Sequence, residues 1–193
     1  IEPNLLTDEL IELAAVNEKI LPHFHIPLQS GCNKILGLMR RRYNTDMFAS
    51  KVRMIRNKIP YAGIGADIIV GFPGESAADF EDTCTFLEEI PFSYLHVFTF
   101  SGRPDTAAEK MADKVPHGEK ESRSKKLLAL SEKRNMEFFK MNIDQETKVL
   151  FEKTRTEGFI TGFTSNYIRV EHPWQSKLAG QIKRVKLNSI ASS

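Results

Sequence analysis

Apolar positions along the first hundred residues alternate between two spacings. Thr7–Lys19 opens with a capping threonine and two acidic residues and places Leu10, Leu13 and Ala14 on one helical face. His23-Phe24-His25-Ile26-Pro27-Leu28 alternates as a strand does and ends in Gln29-Ser30-Gly31-Cys32. A helix is predicted over 33–41 with Ile35, Leu38 and Met39 inward. Another follows over 46–58, capped by Thr45, with Phe48, Val52 and Ile55 as its apolar stripe. Ala66-Asp67-Ile68-Ile69-Val70-Gly71 is a β-branched run, the pattern of a strand buried on both faces of a parallel sheet. Gly71-Phe72-Pro73-Gly74-Glu75 turns the chain. Ser76 with Asp79 forms a capping pair for a helix 76–89 carrying Phe80, Thr83, Cys84 and Leu87. Tyr94–Phe100 is the third strand.

Helix and strand thus succeed each other at roughly thirty-residue spacing, the signature of βαβ units and a parallel sheet. Three strands are too few to close a barrel, so an α/β half-barrel is expected, part of a larger domain. A long basic helix over about 118–140 follows. From Asn142 the period changes to two: Thr147–Lys153, Gly158–Thr164, Asn166–Glu171 and Gly180–Leu187 read as short strands of a small all-β unit. The boundary is placed at 141/142.

Composition narrows the classes. With 41% hydrophobic and 27% charged residues the chain has a globular composition, and no apolar run reaches a membrane-spanning length. Cys32 and Cys84 form neither a disulfide framework nor a metal-ligand cluster, and a reducing, cytoplasmic setting is expected. The first residues, Ile1-Glu2-Pro3, carry no signal-peptide pattern and begin without Met, which reads as a fragment or a processed chain. The net charge is +2 but uneven: 40–58 holds seven Lys/Arg against one Asp/Glu, whereas 59–117 holds three against ten. The basic segments are either solvated helix faces or contacts for a phosphate-rich partner.

Single residues admit competing readings. His23 and His25 share a strand face at a spacing that can bind metal. With no third ligand nearby in sequence, wall histidines are expected and no metal site is assigned. Cys84 lies on a helix stripe and is expected in the core. Asp67 begins a buried strand and needs a partner, and Glu75 favours the positive end of a helix dipole.

Four ordered stretches then carry a resemblance: His25-Ile26-Pro27-Leu28-Gln29-Ser30-Gly31, Met39-Arg40-Arg41-Arg42-Tyr43, Asp67-Ile68-Ile69-Val70-Gly71-Phe72-Pro73-Gly74-Glu75 and Phe100-Ser101-Gly102-Arg103-Pro104-Asp105-Thr106-Ala107-Ala108. Together they resemble the radical-SAM tRNA methylthiotransferases. Gly162–Val170 is similar to that family's TRAM domain, an OB-like RNA-binding barrel. Glu2-Pro3, Leu95-His96-Val97-Phe98 and Thr164-Ser165-Asn166-Tyr167 point to the branch that methylthiolates N6-threonylcarbamoyladenosine beside the anticodon.

The resemblance implies the carboxyl half of a radical-SAM domain (1–141) followed by a TRAM domain (142–193). It implies S-adenosylmethionine and two [4Fe–4S] clusters in the full-length enzyme, and tRNA and the enzyme's own amino-terminal domains as partners. Gln29, Ser30, Ile69, Gly71 and Gly74 would face the cofactor; for Gln29 and Ser30 the alternative is capping of the loop. Arg41, Arg103, Lys153, Arg155, Tyr167, Arg169, Lys183, Arg184 and Lys186 would meet RNA, with Phe163 and Trp174 as further stacking candidates. The family's CxxxCxxC motif and its three further cluster cysteines are not in this sequence. No catalytic residue is therefore assigned, and the chain by itself is expected to be inactive. Asp105 and Ala107 also stand where the family usually has Gly and Pro. The rival readings are a non-catalytic RNA-binding module, or a methylthiotransferase acting on isopentenyladenosine in tRNA or on a ribosomal protein. A complete small α/β enzyme is a weaker third.

Overall fold

The computed structural model describes residues 1–190. Its elements are α1 (Asp8–Val16), β1 (His23–His25), α2 (Asn33–Leu38), α3 (Thr45–Lys58), β2 (Gly63–Val70), α4 (Ala77–Glu89), β3 (Tyr94–Thr99), α5 (His117–Asn142), β4 (Glu146–Thr156), β5 (Phe159–Thr164), β6 (Arg169–Pro173) and β7 (Ile182–Lys186), with a 3-10 turn at Ser176–Leu178. Two sheets result: a parallel three-stranded sheet in the order β1-β2-β3, and an antiparallel four-stranded one in the order β6-β5-β4-β7.

The parallel sheet packs its helix side into a large core. Phe24, Ile64, Ala66, Ile68, Val70 and Leu95 meet Phe48, Val52, Ile55, Cys84, Leu87 and Leu127 there. The apolar stripe of α3 is buried as its periodicity requires, and Cys84 is a core residue, 3% exposed. Ser76 and Asp79 form the reciprocal capping box of α4. Asp79 also accepts from Lys34 Nζ at 2.7 Å. Burial pushes its carboxyl up, but the Lys34 and Ser76 hydrogen bonds outweigh this and hold it down at about 2.

Several local expectations are corrected. Asn44, not Thr45, caps α3, accepting from the Met47 N–H at 2.9 Å, and Thr45 is buried. In α1, Ile11 and Ala14 face the core while Leu10 and Leu13 are exposed. In α2, Ile35 and Leu36 are buried and Leu38 is not. The strand over 66–70 is not buried on both faces: Ala66, Ile68 and Val70 are, but Asp67 and Ile69 stay half-exposed on a face that no helix covers. Asn166 and Tyr167 belong to a turn rather than a strand, with Tyr167 at φ 71°.

The antiparallel sheet has a small core of Val149, Phe151, Ile160 and Leu178. It docks on the parallel unit through Asn166. The Asn166 amide donates to Tyr61 O at 2.7 Å and to Asn142 Oδ1 at 2.8 Å, and the Asn142 amide donates to Phe138 O. Gly63 is needed at this seam, because a Cβ there would collide with the Asn166 carbonyl. Tyr167 stacks on His23 at a centroid distance of 4.6 Å and on Phe163 at 4.9 Å.

Candidate functional site

The carboxyl ends of the parallel strands form one rim, and each is locked by local chemistry. After β1, Gln29 takes φ 73° and its backbone bridges β2, donating to Asp67 O at 2.7 Å and accepting from Ile69 N at 2.9 Å. The Tyr43 hydroxyl donates to Pro27 O at 2.9 Å, pinning the same bend, and burial pushes its phenol up to about 12. After β2, Gly71 and Gly74 adopt φ 74° and 86°, which a side chain would strain. Glu75, expected only to favour a helix dipole, is buried instead. It accepts from the Gly71 N–H and pairs with buried Arg123 of α5 at 3.2 Å. Burial raises its carboxyl pKa, and the Gly71 N–H and Arg123 oppose that rise.

The rim candidates differ in what they offer. Ile69 is half-buried on the uncovered face and lies in register with exposed Phe98, so the two form an apolar shelf. Gln29 is 8% exposed beside it in the bend. Ser30 is 1% exposed, accepts from Cys32 N at 3.2 Å and lies 3.4 Å from the Thr83 hydroxyl, so loop capping describes its contacts. Cys32 and Cys84 are both buried, and two cysteines cannot ligate a four-iron cluster; the residues present do not fit that group.

Below the shelf, the uncovered face carries polar side chains. His25 Nε2 lies 3.0 Å and His96 Nδ1 3.4 Å from the same oxygen, Asp67 Oδ1. Below them, His23 Nε2 and the Tyr94 hydroxyl are hydrogen-bonded at 2.8 Å. Burial, followed by the neighbouring His25 and His96, holds the His23 pKa below its ordinary value. The partner that Asp67 needs is thus a pair of histidines. His96 escaped sequence reasoning because it enters only through the β2–β3 register, Asp67 opposite His96.

The RNA candidates divide into paired and free cations. Arg41 pairs with Glu2 at 3.2 Å and Lys186 with Asp144 at 2.8 Å. Lys153, Arg155, Arg169, Lys183 and Arg184 are exposed on the antiparallel sheet, and Arg103 is exposed in the loop after β3. Cross-strand register places Arg184 opposite Lys148, and Phe163 between Leu150 and Arg169. Tyr167 is 58% exposed, whereas Trp174 packs on the small core.

A parallel sheet with helices on one face and a loop rim at its strand ends is an arrangement shared with α/β barrel-type folds, in which ligands usually sit at that rim. Residues 1–87 match the Radical SAM superfamily. Coproporphyrinogen III oxidase from Escherichia coli, described as a radical SAM enzyme, shares the fold with a TM-score of 0.59 at 17% identity, over 69% of this chain and 31% of that one. The homologues are tRNA methylthiotransferases. The chain is 36% identical over 191 residues to the threonylcarbamoyladenosine tRNA methylthiotransferase of Bacillus subtilis (strain 168), covering 97% of this chain and 42% of that protein. It is 40% identical over 178 residues to the enzyme of the same name from Aquifex aeolicus (strain VF5), covering 92% and 42%. It is 37% identical over 193 residues to the tRNA-2-methylthio-N(6)-dimethylallyladenosine synthase of Endomicrobium trichonymphae, covering 97% and 46%. The chain therefore spans less than half the length of these curated relatives. No helix among the described residues is long and apolar enough to cross a membrane.

Proposed function

We propose that this chain is part of a radical-SAM tRNA methylthiotransferase acting on N6-threonylcarbamoyladenosine. In this reading residues 1–141 form one wall of an S-adenosylmethionine site and residues 142–193 a TRAM domain that docks tRNA. The observation that carries it is the 36% identity over 97% of the chain to a relative of that name. The rim supports the cofactor assignment: the Ile69–Phe98 shelf suits an adenine face, and the Gln29 bend and the Gly71 and Gly74 turns bring backbone close to a bound nucleoside. When bound, the cofactor supplies radical and methyl chemistry; this chain's residues position it. The [4Fe–4S] clusters require cysteines that this chain does not have, so the chain alone is inactive and works in the cytoplasm as part of the larger enzyme. The Endomicrobium relative favours a second substrate, dimethylallyladenosine, at comparable identity.

On the antiparallel sheet, exposed Arg169, Lys183 and Arg184 supply phosphate contacts, and Tyr167, whose ring stacks on His23 and Phe163, keeps an exposed edge for a further contact. The test is tRNA binding by this chain at increasing salt. Log K is expected to fall linearly with log salt, with a shallower slope for the Lys183→Ala/Arg184→Ala variant; a flat line overturns the RNA reading. Anticodon stem-loops bearing threonylcarbamoyladenosine or dimethylallyladenosine at the target position, presented to the full-length enzyme, separate the two substrates.

A further inference from the structure

The three strands of the parallel sheet each place a polar side chain on the uncovered face: His25 at the end of β1, Asp67 within β2 and His96 within β3. Positions on that face could have held apolar side chains, as Phe24, Ile64, Ala66, Ile68, Val70 and Leu95 do on the opposite face. Instead His25 Nε2 and His96 Nδ1 converge on one oxygen, Asp67 Oδ1, at 3.0 and 3.4 Å, and all three ligand-capable atoms lie within 4.8 Å of one another.

That spacing has a chemical meaning. Three donors bound to one ion at about 2.1 Å, with angles of about 90–110°, sit about 3.0–3.4 Å apart. We infer that His25, Asp67 and His96 form a two-histidine, one-carboxylate site for a divalent first-row transition metal, Zn²⁺ or Fe²⁺. The donor set excludes the hard cations Mg²⁺ and Ca²⁺, which take oxygen ligands, and without a thiolate it does not suit Cu(I). Side-chain exposures of 35%, 22% and 52% leave the three groups reachable from the uncovered face in this chain. Packing supports the ligands: the His25 and His96 rings lie 5.2 Å apart, and Tyr94 lies against His96 at 5.3 Å. Two residues farther along each strand, about 7 Å away, lies the Ile69–Phe98 shelf, so the ion would sit beneath the rim. The ion would take the two ring nitrogens that face Asp67, each imidazole carrying its proton on its other nitrogen.

The experiment uses the tag-free full chain. Co²⁺ is titrated in and followed by its visible ligand-field absorption, and Zn²⁺ competition is followed by calorimetry. One equivalent of Co²⁺ is expected, displaced stoichiometrically by Zn²⁺. His96→Ala and Asp67→Asn are expected to lose the band and weaken binding by about 100-fold or more. His117→Ala, an exposed histidine elsewhere, and Cys32→Ser, which tests the Cys32–Asp79–Asp82 group, are expected to bind as the unaltered chain does. Circular dichroism checks folding. His96 is half-exposed, so its alanine variant keeps the test valid if Asp67→Asn fails to fold. Absence of a ligand-field band, unchanged binding in His96→Ala, or loss of binding in Cys32→Ser overturns the site.

Discussion

The two sheets solve the same problem with very different resources. The parallel unit packs its strands against α1, α3, α4 and α5 in one continuous core, sealed at the rim by the Glu75–Arg123 pair. The antiparallel unit has a core cluster of only four buried apolar side chains and leaves Leu150, Phe159 and Ile182 exposed. A small β unit with so little buried area borrows stability from its neighbour. The Asn166 bonds and the His23–Tyr167 stack are where the loan is made.

The contrast can be broken most sharply inside the small core. Phe151→Ala removes one of its four buried members at a cost of about 3–5 kcal/mol. Amide exchange is expected to show β4–β7 deprotected while the helices stay protected; uniform loss of protection in both units would contradict the asymmetry. Of similar size, Arg123→Ala leaves the Glu75 carboxylate buried without its partner, at about 3–5 kcal/mol. Here the urea midpoint of the parallel unit should fall, and Glu75→Gln/Arg123→Met should recover most of it. Asn166→Ala removes two bonds across the seam, about 1–3 kcal/mol, and is expected to split one thermal transition into two. The smallest effect belongs to a single cap: Ser76→Ala should cost about 1 kcal/mol, confined to the parallel unit.

Acid sharpens the same comparison. The folded Asp79 carboxyl titrates at about 2, below its ordinary 3.8. Its contribution is therefore fully present above about pH 4 and is lost as pH falls through 2. Denaturation between pH 4 and 2 should show the parallel unit weakening by this route, and Asp79→Asn should remove that part of the pH dependence.

Much of this was legible in the sequence because it is local. The Ser76–Asp79 cap, the α3 stripe and the glycine turn after β2 each follow from residues within one helix or one loop. The change of period after Asn142 marks where α5 ends and the antiparallel strands begin. What escaped depends on distance. The Thr45 N–H is taken by Asn33 Oδ1, twelve positions back, while Asn44 caps the helix, and Glu75 found Arg123 forty-eight positions away. The His25–Asp67–His96 group needs three strands in register before it exists. Its local traces were the two histidines of β1 and single interior polar residues, Asp67 and His96, in β2 and β3.

Gly63 sets the gauge of the molecule. The absence of a side chain there lets the Asn166 carbonyl rest directly on β2, so the spacing between the sheets is set by one missing carbon atom. Any replacement at this position becomes a shim. It would leave both cores intact and tilt the exposed cations of β6 and β7 relative to the open face of the parallel sheet, changing reach without changing chemistry.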